Sequence, residues 1–164
     1  MNDKERYLFD LHGYLVIPNA LTPEQISVLN RELDQHIESE CAQDMRTHRF
    51  WPILKWSKDY RDLIDNPTVE THLLELLGAN FRLDHTYLDV IRSGKGPIGT
   101  TLHGGAIPFR SDHFFVFSQG KMYNGLCVVA YNLKDVGPND GGFGCVPGSH
   151  KSNYAFPDDW KEMT

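Results

Sequence analysis

Cysteine is scarce in this 164-residue chain, which has three, Cys41, Cys127 and Cys145, and no C-x-x-C spacing. That excludes a zinc-knuckle pattern and gives no basis for a disulfide framework, so a reducing compartment, the cytoplasm, is the expected location. Blocks of like charge are also missing: 16 Lys and Arg against 22 Asp and Glu leave a net charge of -6 spread along the chain. Such a balance attracts neither nucleic acid nor an anionic membrane, and neither is expected as a partner. There is no long apolar run, and the charged start Met1-Asn2-Asp3-Lys4-Glu5-Arg6 leads into no signal peptide or membrane span. Repeats and low-complexity tracts are absent, and no composition shift marks a domain boundary. One domain over residues 1–164 is expected, long enough to bury a core.

What is present begins as helix. After a short helical start, Gly13-Tyr14-Leu15-Val16-Ile17-Pro18 reads as a strand ended by its proline. The span from Leu21 to Glu40 is the clearest helix, with Thr22 as N-cap, Pro23 at the first position and Gln25 completing a capping box. Ile26, Leu29, Leu33 and Ile37 form its apolar stripe. His36 and Glu38, two apart, point to different faces and read as solvated. Residues 41–60 look irregular, a loop with Trp51, Pro52 and Trp56 from which Lys55 is a candidate to meet a ligand carboxylate. Asn66-Pro67 caps a second helix to Leu77, closed by Gly78, with Val69, Leu73, Leu76 and Leu77 as its apolar face.

From Phe81 the pattern turns to β. Residues 81–91 alternate in part, placing Leu83, His85, Tyr87 and Asp89 on one face. A Gly/Pro/Ser loop at 93–97 leads to Thr101-Leu102-His103-Gly104-Gly105, where a histidine on an expected strand has only hydrogen side chains beside it, leaving open space next to a metal-binding imidazole. A hairpin follows, with Phe114–Phe117 and Lys121–Tyr123 flanking Ser118-Gln119-Gly120, then an apolar strand from Leu126 to Leu133, a turn over 135–142, the short strand 143–146 and a second turn, Pro147-Gly148-Ser149-His150-Lys151. Cys127 and Cys145 sit in apolar strands and read as small core residues, whereas His113 and His150 read as exposed turn residues. Helices followed by short strands with glycine-rich turns fit a mainly-β double-sheet jelly roll with a helical N-terminal layer.

Three stretches together resemble the phytanoyl-CoA dioxygenase family. They are Phe9–Pro18 with the helix after Leu21-Thr22-Pro23-Glu24, then His85-Thr86-Tyr87 followed by Leu102-His103-Gly104-Gly105, and finally Asp140-Gly141-Gly142-Phe143-Gly144-Cys145-Val146-Pro147-Gly148-Ser149-His150-Lys151. The resemblance implies a cupin-like double-stranded β-helix and an iron(II)- and 2-oxoglutarate-dependent oxygenase acting on a small organic substrate. In that chemistry two histidines and a carboxylate hold one face of the iron. By the same resemblance His103 is the first iron ligand, and Tyr87, Tyr131 and His85 fall around the co-substrate.

The chain departs from the family's pattern in two places. Two residues after His103, where the family has its metal-binding aspartate, stands Gly105, and no His-x-Asp triplet occurs anywhere in the sequence. Either a carboxylate is borrowed, with Asp89 and Asp112 the nearest candidates, or an anion takes the place, as chloride does in related halogenases, or the metal site is lost and the domain is a binding module. The family's second histidine and its 2-oxoglutarate arginine lie well beyond the Pro-Gly-Ser-His-Lys turn, so the last strands of the roll are expected to be missing here. No basic groove or phosphate-cradling helix start asks for a coenzyme A thioester as substrate.

Overall fold

The fold is organised by one capped helix that buries its apolar stripe beside a short β-ladder. The structure, a computed structural model, describes residues 1–92, 103–104, 110–137 and 140–157. Helix α1 (Asp3–His12) opens with a capping box in which Asn2 accepts from the Glu5 amide and Glu5 accepts from the Asn2 amide. Helix α2 (Pro23–Glu40) starts as its sequence predicts, with Thr22 and Gln25 reciprocally bonded. Leu29 and Leu33 are buried and Ile26 and Ile37 pack beside them, so the expected stripe is the one that faces inward. Each buried leucine contributes about 1.5–3 kcal/mol of transfer free energy.

The span read as an irregular loop is more ordered than expected. It holds strand β1 (Thr47–Phe50), a 3-10 turn at Ile53–Lys55 and the short helix α3 (Lys58–Arg61). Its aromatics drive this: Phe50 and Tyr60 are buried, and Trp56 meets both edge-on at 5.2 and 4.9 Å. Tyr60 donates its hydroxyl to the Leu29 carbonyl at 3.0 Å, tying α3 to α2. His36 is not solvated as expected. Its ring lies 3.8 Å from that of Trp56 at an interplanar angle of 11°, whereas Glu38 is exposed.

Helix α4 (Pro67–Leu77) is capped by Asn66, whose side chain accepts from the Thr68 amide and donates to the Ala20 carbonyl. Strand β2 (Leu88–Ile91) pairs antiparallel with β1, with Arg49 opposite Asp89 and Phe50 opposite Leu88. The expected hairpin forms as β3 (Phe115–Ser118) and β4 (Lys121–Asn124), turning on Gln119 and Gly120, both at positive φ.

Other expected strands do not enter ladders. Residues 14–17, 81–87, 126–133 and 143–146 carry no strand pairing among the described residues, and Val16, Val128 and Phe143 are 80%, 66% and 70% exposed. The described residues therefore hold two two-stranded ladders, with more residues in helix than in strand, and not a closed, mainly-β roll. The physical reason is that β-branched and aromatic runs favour an extended chain, but a ladder also needs a partner edge, which composition does not supply. Cys145 is accordingly exposed and Cys127 only partly buried, so neither is the core residue expected.

Candidate active site

The β1–β2 ladder separates the helical core from a second face, because side chains alternate along a strand. Phe50, Leu88 and Val90 turn inward onto the core. Arg49 and Asp89, opposite one another, turn outward and are joined by two bonds of 2.7 Å. The Arg49 guanidinium also lies 3.8 Å from the centroid of the Tyr87 ring. Asp89 holds the pKa of Arg49 above its ordinary value, keeping the cation fixed.

Tyr87 and His85 share this outer face, as their spacing predicts, with ring centroids 5.8 Å apart. Trp51, just past the end of β1, extends the row, its ring 5.9 Å from His85. His85 is oriented by Asp84, which lies 2.6 Å from Nδ1. Trp51 and Arg49 were not among the sequence candidates; the signal that would have found them is the pairing of residue 49 with residue 89, invisible to local pattern.

The other candidates lie apart from this row. Tyr131 packs with the helical core and donates its hydroxyl to the Leu63 carbonyl at 3.0 Å, and burial pushes its phenol up to about 12. Lys55 is exposed at the end of the 3-10 turn, and its ammonium has no partner among the described residues. His103 is exposed and in no strand; beside it Gly104 has φ +84, with nothing among the described residues within 4 Å of where a side chain would project. Thr101, Leu102 and Gly105, on which the expected ligand strand depends, lie outside the described residues.

Iron held by two histidines and a carboxylate needs three converging donors. Among the described residues no three His, Cys, Asp or Glu side chains converge in that way. Both carboxylates considered for loan are already clamped, Asp89 by Arg49 and Asp112 by Arg110 at 3.0 and 3.2 Å. The described residues do not by themselves form such a metal site.

The Pro-Gly-Ser-His-Lys turn has a role that sequence reading missed. Pro147 to Lys151, ending in a 3-10 turn at Ser149–Lys151, docks on the C-terminus of α1 and pairs its orphan carbonyls. The Gly148 amide donates to His12 O at 2.8 Å, while His150 Nε2 and Lys151 Nζ both donate to Asp10 O. Gly13 completes the end in a left-handed cap, its amide donating to Phe9 O. His150 is therefore half-buried between Phe9 and Phe115, not exposed, and its Nδ1 is buried without a partner. A groove of about 360 Å³, lined by Asp10, Phe115, Phe117, Lys151 and Asn153, runs beside this clasp and includes none of the site candidates.

The fold is shared with a protein of known structure. The crystal structure of HygX from Streptomyces hygroscopicus, with nickel and 2-oxoglutarate bound, superposes with a TM-score of 0.73 at 22% identity, covering 99% of this chain and 66% of that one. At that identity the likeness establishes the fold, and this chain spans just under two thirds of HygX's length. No curated protein sequence matches. The phytanoyl-CoA dioxygenase (PhyH) family matches residues 9–162, nearly the entire chain, and the protein belongs to that family. Among the described residues no helix is long and apolar enough to cross a membrane.

Proposed function

We propose that the protein is an iron(II)- and 2-oxoglutarate-dependent oxygenase, built on a double-stranded β-helix, that hydroxylates a small organic substrate. Overall, oxygen and 2-oxoglutarate convert a substrate C–H bond to C–OH and release succinate and carbon dioxide, one oxygen atom going to each organic product. The observation that carries this reading is the family match over residues 9–162, and the fold shared with the 2-oxoglutarate-bound HygX supports it. His103, exposed beside Gly104, is the iron ligand this chain offers. The outer face of the β1–β2 ladder, with His85 and Tyr87, is the surface offered to substrate and co-substrate. Oxygen-dependent succinate formation by the full-length protein, supplied with iron(II) and 2-oxoglutarate, tests the reading; protein that neither retains iron(II) in anaerobic dialysis nor forms succinate would be a binding module.

Gly105 favours a second reading, in which chloride occupies the carboxylate's place and the product is chlorinated. Turnover in chloride that yields hydroxylated product alone would sink it.

A further inference from the structure

The outer face of the ladder is a stack of planar groups with one end closed and the other open. Arg49 closes it over Tyr87; the Tyr87 and His85 planes are inclined by 17°, those of His85 and Trp51 by 28°. Trp51 ends the row with 60% of its surface exposed. Indoles are highly buried on average, so one left this open beside a stacked neighbour is a ready-made contact surface.

The charges around the stack are unequal. Arg49 is cancelled by the two-pronged contact with Asp89. Asp84 contacts His85 Nδ1, is 61% exposed, and meets no lysine or arginine among the described residues. Asp84 thus places an exposed carboxylate beside the His85 ring, one ring along the stack from the open indole. An indole face attracts cations through its quadrupole, and a neighbouring carboxylate adds to that attraction while repelling anions.

We propose that the open face of Trp51, with Asp84 behind it, docks a planar organic cation, and that the substrate carries such a group. That Trp51 docks a substrate rests on the oxygenase reading; that it docks a cation does not. Trp51 and Asp84 would set specificity by charge and shape.

The test is a titration of full-length protein carrying 15N-labelled indoles, with the Trp51 signal identified by its loss in Trp51→Phe. The probes are 1-methylnicotinamide as planar cation, nicotinamide as its neutral counterpart and nicotinate as the anion. A saturable shift of the Trp51 signal is expected with the cation, about tenfold tighter than with nicotinamide. Nicotinate should leave the signal unmoved, and Asp84→Asn should bring cation affinity down to that of nicotinamide. Absence of saturation with the cation, equal affinity for cation and neutral probe, or a cation preference that survives Asp84→Asn would overturn the proposal. These titrations require neither metal nor turnover, so their failure leaves succinate formation as a separate question.

Discussion

Gly13 presses its Cα against the imidazole of His150: a methyl group placed on Gly13 would sit 2.3 Å from His150 Nδ1. Two constraints meet at this glycine, since its φ of +79 also lies where side chains are strained.

Gly13→Ala should therefore be costly. The left-handed backbone accounts for about 1 kcal/mol and the overlap with His150 for about 1–3 kcal/mol more. Denaturant midpoints of the full chain measure the sum. In a His150→Ala background the same substitution should cost only the backbone share; an equal cost in both backgrounds would show that His150 is not the obstacle.

Stability should also fall in mild acid through His150. Burial, and then the Lys151 charge, hold its pKa below the ordinary histidine value, against the opposing effect of the Asp10 carbonyl and carboxylate. A base with a depressed folded-state pKa is protonated more readily when unfolded, so its stabilising contribution is complete above the unfolded value of about 6.5 and is lost as pH falls below it. Comparing wild type with His150→Gln between pH 8 and pH 5 isolates the effect. The wild type should lose more stability on acidification than the variant, and parallel curves would refute the assignment.

Asn66 bonds at both ends of its amide while buried, accepting from Thr68 N at 2.9 Å and donating to Ala20 O at 2.8 Å. Asn66→Ala removes a helix cap and leaves a buried carbonyl unpaired, an expected loss of about 2–3 kcal/mol in equilibrium unfolding. Asn66→Asp keeps the cap acceptor but turns a carboxylate oxygen toward the Ala20 carbonyl, so it should recover only part of that loss.

Tyr60→Phe is the milder probe of the core. It deletes the bond to the Leu29 carbonyl and preserves the ring packed against Trp56, so a loss of about 1 kcal/mol is expected from the same measurement. Tyr60→Ala, which also removes the ring, should cost about 3–5 kcal/mol.

His103→Ala should separate function from folding. The side chain is exposed, so the unfolding midpoint should move by no more than about 0.5 kcal/mol. Oxygen-dependent succinate formation by the full-length protein should disappear. Activity that persists in this variant would remove His103 from the metal site.

The two long helices were legible because their signals are local. Thr22 with Gln25, and Asn66 with Pro67, specify where each helix starts without reference to the rest of the chain. The hairpin at Gln119-Gly120 was legible for the same reason. Pairing of β1 with β2 was not, because the partners of Arg49 and Phe50 lie some forty residues away and nothing near residues 47–50 names them. That single pairing builds the candidate site's outer face, so His85 and Tyr87 could be placed on a common strand face from sequence while Trp51 and Arg49 could not. His150 shows the opposite error: its turn is local and was recognised, but its burial comes from α1 at the far end of the chain.

The clasp also orders events in time. Helix α1 has ten residues, too few to persist alone in water, and its polar hold on α4 includes the ion pairs that Met1 and Arg6 make with Glu75 and the contact of Glu5 with His72. Of its C-terminal carbonyls, that of Phe9 is paired locally by Gly13, but among the described residues those of Asp10 and His12 find donors only in His150, Lys151 and Gly148. On a ribosome α1 thus emerges well before the turn that secures it, and its final turn stays open to water and proteases until residues 147–151 have followed. The most recognisable motif of the sequence thus acts as a buckle, closing α1 onto the hairpin.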